Sequence, residues 1–284
     1  MVQRGLPIFA SLVFAAVAIG ETPATLFDDL IENGIDVGGV NAKITRSIDV
    51  SASDSDVRRD IAGRNDWKRF TRDSVTAPIL MNFDTVESAE GTRVGHVMSF
   101  RFVAHQEFET LKEKGFLKTL FQDSSQREES SFEGFDNELM EEFGLKPQDA
   151  TDYGFATFEL LKRIRIRGIF ASQTTVDDDV AVTAWRLLEE KPNDSDYCST
   201  WSPLDNDEVG RKVEGDRQAY AGIAGYVSMT SLAPVDSTLA GACLVECHSI
   251  IHEPKQWFDG RNLLRSKLPL IVQESVRKFR RKLD

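Results

Sequence analysis

The chain has 284 residues, 41% of them hydrophobic, and a formal net charge of −12. That length can bury a sizeable core in one large domain or two small ones. The acidity argues against nucleic acid as a partner, because binding phosphates needs a concentrated cationic surface.

Arg4 precedes an apolar run over residues 6–20, in which Ala16, Val17 and Ala18 offer small residues to a signal peptidase. The run is shorter than the ~20 residues a membrane span needs. Residues 1–20 therefore read as a cleaved signal peptide, and the protein as secreted or periplasmic. No Cys follows the run, so no lipid attachment is expected there. Over residues 21–39, Thr22-Pro23 can cap a short helix through Leu26, Leu30 and Ile31, ended by Gly34. Val40, Ala42, Ile44, Ile48 and Val50 then alternate with polar residues, the pattern of a half-buried strand.

A helical stretch over residues 57–70 is broken near Gly63-Arg64-Asn65, and two strands follow at 75–87 and 93–105. Met98, Phe100 and Phe102 share one face of the second. Residues 106–158 depart from this rhythm: they are rich in Phe and Glu, with helical spacing in Phe132, Phe135, Leu139 and Phe143. They read as a helical insertion with a polar centre at 122–131. Strands resume at 162–176 and 180–190 around a turn at Asp177-Asp178-Asp179, with a short one near 197–201 and long ones at 219–232 and 239–251.

The last stretch organises the rest. Leu264, Leu268, Val272, Val276, Phe279 and Leu283 form one apolar stripe of a helix facing a core. Gln273, Glu274, Arg277, Lys278, Arg280, Arg281 and Lys282 form the opposite face, predicted to be solvated. Pro269 fits near a helix start, because first-turn amides have no intrahelical partner. The helix is thus expected to begin between Ser266 and Pro269, with 261–265 as a separate turn. The basic face suits a helix C-terminus, and it would also suit peripheral contact with anionic lipid.

Ser47-Ile48-Asp49-Val50-Ser51-Ala52-Ser53, then Val57, Ile61 and Asn65-Asp66-Trp67-Lys68-Arg69-Phe70, resembles the opening of START-like (SRPBCC, polyketide-cyclase-like) domains. Gly225-Tyr226-Val227-Ser228-Met229-Thr230-Ser231-Leu232 and the helix at Leu268-Pro269 resemble the family's closing elements. The likeness covers residues 40–105 and 160–284. It implies an α+β helix-grip fold, a curved antiparallel sheet packed on a long C-terminal helix, as one domain over 40–284 with the insertion at 106–158. It also implies a hydrophobic small molecule or lipid held between sheet and helix. A minority of the family are cyclases or hydrolases.

The residues themselves point to few chemistries. His248 and His252 would share a helix face, but Ile250-Ile251 and Pro254 favour a strand end, where they sit ~13 Å apart, too far for one ion. No metal or cofactor is expected. His96 and His105 look isolated. Cys243 and Cys247, also four apart on a strand, cannot bridge each other without a bend; buried free thiols are the plainer reading. Asp177-Asp178-Asp179 has no Gly or distal Glu at calcium-loop spacing. No Gly-x-Ser-x-Gly or phosphate-binding glycine loop occurs, so no catalytic residue is singled out. The expected cavity wall is Met98, Phe100, Phe102, Trp185, Tyr226, Met229, Val245, Val272 and Val276, an apolar lining with few polar groups. The function expected is an exported, non-catalytic carrier of a hydrophobic small molecule or lipid. The alternatives are an enzyme of the same fold, or an envelope interaction module using the insertion.

Overall fold

The computed structural model describes residues 25–50, 55–113, 131–146, 151–188 and 195–283. The expected signal peptide and nearly all of the polar segment at 122–131 lie outside them. Strands β3 (Leu80–Glu87), β4 (Arg93–Ala104), β5 (Ser131–Gly134), β6 (Thr151–Leu160), β7 (Ile164–Val176) and β8 (Val180–Leu187) come first. They are followed by β9 (Thr200–Asn206), β10 (Lys212–Glu214), β11 (Gln218–Ala219), β12 (Ile223–Ser231) and β13 (Cys243–His252). These form one antiparallel sheet, in which β5-β6-β7-β8-β12-β13-β4-β3 run side by side.

The sheet forks at β7. One edge of β7 pairs with β6 along its length, while the other pairs with β9 at Ile164–Arg167 and with β8 at Phe170–Val176. At the fork, a Cβ on Gly168 would collide with Leu187 Cδ1 and lie 2.8 Å from Ser199 Oγ, so any larger residue would displace both side chains. The branch of β9 and β10 is clamped by ions: Arg165 and Arg167 both bind Glu214, at 2.5 and 2.6 Å, and Arg165 also binds Glu159 at 2.8 Å.

Helix α1 (Leu26–Glu32) starts at Thr25, whose hydroxyl accepts from the Asp28 amide at 3.1 Å, three residues beyond the expected Thr22-Pro23 start. β1 (Ile35–Asp36) and β2 (Asn41–Ala42) pair only with each other. The strand expected over 40–50 is therefore a two-residue ladder followed by an extended strap. Ala42, Ile44 and Val50 are nonetheless buried, because the strap lies across the sheet face rather than within the sheet. The broken helix appears as α2 (Ser55–Ala62) and α3 (Trp67–Phe70), the latter capped by Asp66.

The region read as a helical insertion holds α4 (Phe108–Glu113), β5, α5 (Asn137–Glu142) and all but the last residues of β6. Phe132 lies on β5 and Phe135 beyond it, so the Phe stripe is not one helix. Phe135, Phe143 and Phe155 instead gather round Tyr197, with ring centroids 5.1–5.8 Å from it. β6 was missed because Tyr153, Phe155 and Phe158 count equally toward either period.

The terminal helix α6 (Leu263–Leu283) is continuous and starts earlier than expected, with Pro269 inside it. Proline there removes the bond to the Arg265 carbonyl. The separate turn lies earlier, at Trp257–Gly260, where Phe258 and Asp259 have left-handed backbone. Leu264, Leu268, Val272, Val276 and Phe279 are all buried against the sheet, as the stripe required. Arg280, expected on the solvated face, is buried at 6% exposure. The reason is periodic: Arg280 continues the four-residue repeat 264, 268, 272, 276, so it lies in line with Val276.

Candidate functional site

Alternation gives the sheet two buried faces. The first meets α6. Even positions of β4 (Met98, Phe100, Phe102) and odd positions of β13 (Val245, Cys247), β12 (Val227, Met229) and β8 (Trp185, Leu187) join the α6 stripe in one apolar cluster. Register aligns them in rows across the strands. Phe102, Val245 and Met229 form one row, Phe100, Cys247 and Val227 the next, and Met98, Ser249, Gly225 and Trp185 the one after. Gly225 is needed there, since a Cβ would lie 2.8 Å from Trp185 Cζ2 and collide with the His248 carbonyl. Phe102 stacks with Phe100 at 6.4 Å and meets Phe279 edge-on at 6.0 Å, which ties α6 to the wall.

Eight of the nine wall residues read from the sequence lie on this face: Met98, Phe100, Phe102, Trp185, Met229, Val245, Val272 and Val276. Tyr226 does not. It is three positions from Met229 on the same strand, so the two must point to opposite sides. Every residue of β12 is buried, so alternation of burial could not separate its faces. Tyr226 lies 4.8 Å from Phe27 and from His248 between ring centroids, and its hydroxyl donates to the Thr45 carbonyl at 2.8 Å.

The α6-facing wall carries polar exceptions that sequence reasoning passed over. His96, two residues before Met98, is fully buried, and its Nε2 hydrogen-bonds Glu253 Oε2. Arg93 Nη2 holds the other carboxylate oxygen at 3.1 Å and the Gly260 carbonyl at 3.2 Å. His96 Nδ1, Ser249 Oγ, Ser172 Oγ and Trp257 Nε1 are buried without a hydrogen-bond partner among the described residues. Ser249 and Ser172 share one register row, and His96 is one step along β4 from it. Period two from Met98 would have placed His96 on this face. Nothing in the spacing announces Glu253, which lies beyond the strand end.

The second face lies under α1 and the strap. Glu246 and His248, even positions of β13, are buried there. Glu246 Oε2 accepts the Ile48 amide at 3.0 Å, and His248 Nδ1 lies 3.3 Å from Thr45 Oγ1. Burial raises Glu246 from 4.5 to about 7, against the opposing pull of that amide and of Arg101. Burial, with Arg101, lowers His248 from 6.5 to about 4. His248 and His252 both lie on β13 in extended geometry, and among the described residues no three His, Cys, Asp or Glu are placed to hold a metal. Cys243 and Cys247 are buried free thiols; burial pushes Cys243 to about 12 and Cys247 higher still.

Several solved structures resemble this arrangement. A STAR-related lipid transfer protein from Xanthomonas axonopodis is 11% identical, over 70% of this chain and 98% of that one, with a TM-score of 0.38. The lipid transfer and protein localization domain of human StarD13 is 7% identical, over 72% of this chain and 89% of that one, at 0.40. Human STARD10 is 12% identical, over 70% of this chain and 73% of that one, at 0.36. The chain itself shows an α+β fold, one antiparallel sheet packed on the C-terminal helix α6. No family model matches the sequence, and no curated protein is significantly similar to it. Between sheet and α6 the wall is apolar, and its His96 end carries the unpartnered polar atoms.

Proposed function

We propose that the protein binds a hydrophobic small molecule or lipid between the sheet and α6. The observation that carries this reading is the set of unpartnered polar atoms on an otherwise apolar buried wall. Buried polar groups are hydrogen-bonded in the great majority of native structures. A ligand with one polar end would satisfy His96 Nδ1 and Ser249 Oγ and lay its apolar part against Met98, Phe100 and Val276. Native mass spectrometry of the purified protein should show a co-purifying apolar adduct, reduced in a Ser249→Leu, Met98→Trp variant. A wild-type protein that carries no adduct and fails to take up a hydrophobic fluorescent probe would refute the proposal.

The carrier reading extends to place and partner. The apolar run after Arg4 supports export, and N-terminal sequencing of the native protein should begin after Ala18 or Gly20. The outer face of α6 exposes Arg265, Lys267, Arg277, Arg281 and Lys282 beside Leu270, 60% exposed. That surface suits peripheral contact with anionic lipid, and pelleting with anionic but not neutral vesicles would test it.

One observation favours an enzyme instead: a buried histidine paired to a carboxylate, beside unpartnered polar atoms, is an acid–base device. His96→Gln separates the two readings. A carrier keeps its bound molecule unchanged in mass; an enzyme accumulates a different species, the unconverted substrate.

A further inference from the structure

The far side of the α6-facing wall carries a charge that nothing around it answers. Ala156, Phe158 and Leu160 on β6 and Ile164, Ile166 and Phe170 on β7 all join the cluster beneath α6. Residues of a strand alternate between its faces, so Asp152 and Ser172, at even positions of the same two strands, lie on that side too. They stand directly opposite each other, and their row continues through Trp185 and Gly225 to Ser249 and Met98. Asp152 is the one ionisable side chain at the wall positions of β6, β7, β8 and β12.

Ser172 is 3% exposed, and its hydroxyl has no hydrogen-bond partner among the described residues. Asp152 is half-buried, and neither of its carboxyl oxygens is sealed off. Among the described residues no hydrogen bond or ion pair reaches that carboxyl, and burial alone raises its proton affinity above the usual aspartate value. A charge taken out of water without a partner is costly, and uncompensated groups of this kind gather at binding sites. The other interior carboxylates are answered: Glu253 by Arg93 and His96, Glu159 by Arg165 and Lys212. Asp152 is not.

The position is also open at its side. β5 pairs with β6 only from Gly154 to Thr157, so beside Asp152 the outer edge of β6 carries no strand among the described residues. From β6 to β13 is four strand spacings, ~19 Å along the sheet. Asp152 is thus a second polar point on the wall, remote from the His96 end, with Trp185 between them.

We propose that Asp152, with the Ser172 hydroxyl beside it, receives a positively charged nitrogen, so that the molecule held between sheet and α6 is a long-chain amine. The inference rests on the hydrophobic-ligand reading and names the head group of that ligand. An ammonium carries three donors and no acceptor. One donor meets the carboxylate in a charge-assisted bond and another meets the serine oxygen, while the alkyl chain lies along Trp185 toward Met98. The His96 end is left for a second polar group at the other end of the chain. A carboxylic acid would bring a second negative charge to an unanswered carboxylate; an alcohol would make the bond without the charge.

The test uses the full chain loaded with a hydrophobic fluorescent probe. Dodecylamine, dodecanol and dodecanoic acid, each below its micelle concentration, displace the probe at neutral pH and constant ionic strength. Wild type should release the probe to the amine at about tenfold lower concentration than to the alcohol, and to the acid least readily. Asp152→Asn keeps the size and loses the charge; it should bring amine and alcohol to within about twofold, with the alcohol unchanged. Ser172→Ala leaves the carboxyl in place and should narrow the amine preference without abolishing it, which keeps the site falsifiable if Asp152→Asn does not fold. Equal displacement by amine and alcohol in wild type, or an amine preference unchanged in both variants, overturns the proposal and leaves the hydrophobic-ligand reading standing. Probe uptake with displacement by none of the three also overturns this proposal alone, whereas no probe uptake at all overturns both.

Discussion

Glu246 is the buried group whose ionisation should be most visible in the stability of the fold. Its carboxyl holds the strap through the Ile48 amide, yet burial raises it from 4.5 to about 7. A carboxyl raised on folding contributes stability that is fully present below the unfolded value and lost as pH climbs through the folded one. At ~1.36 kcal/mol per pH unit, that displacement is worth ~3 kcal/mol. His248 acts oppositely: lowered from 6.5 to about 4, it stabilises above 6.5 and loses that contribution as pH falls toward 4. In wild type the two slopes cancel between 4.5 and 6.5, and stability declines above that. Glu246→Gln keeps an oxygen for Ile48 and removes the titration. Its new amide faces Ser228, directly opposite in register, whose hydroxyl has no partner among the described residues. The variant should match wild type near pH 4.5, gain stability across the window where wild type is flat, and exceed wild type by ~3 kcal/mol near pH 8.5. Urea denaturation followed by circular dichroism at several pH values measures this directly. A difference between the two proteins that does not change with pH would refute the assignment of a neutral buried Glu246.

Phe279→Asp should cost ~3–5 kcal/mol for the lost ring alone, plus desolvation of the carboxylate, whereas exposed Arg277→Asp should cost under ~1 kcal/mol. Arg280→Asp belongs with the first despite its charge, since it takes the donor from the Val103 and Ala77 carbonyls, at ~1–3 kcal/mol each; thermal midpoints should separate Arg277→Asp from the other two. Gly225→Ala should push Trp185 off the wall and cost ~1–3 kcal/mol, with a change in tryptophan emission as the second readout. Glu214, held near 2 first by its bond to Arg167, contributes stability above 4.5 that fades as pH falls toward 2. Glu214→Gln should therefore flatten the acid limb of the stability profile, and an unaltered limb would count against the clamp.

The elements that periodicity could read were those with one wet face. The α6 stripe and the β4 face came through because polar residues mark where each apolar stripe ends. In β12 and β13, buried on both sides, that contrast disappears, and so Tyr226 was set on the wrong wall. Arg280 was misread for its chemistry, because charge suggested solvent while position continued the buried row. His96 and Glu253 are 157 residues apart; the sheet brings them together, and no local spacing encodes that meeting. The strap over residues 43–50 showed a strand's alternation without a strand's partner, since burial on a face depends on side chains and a ladder depends on backbone.

The fork at β7 divides the sheet's cooperativity. Four residue pairs join β7 to β9 and seven join it to β8, with Gly168 and Ile169 between the two ladders. No hydrogen-bonded row runs from β8 into β9, so the branch can lift without unzipping the strands that α6 covers. In amide exchange it would behave as a separate opening unit, its edge pinned by the guanidinium–carboxylate contacts and by the buried Trp201 and Leu204.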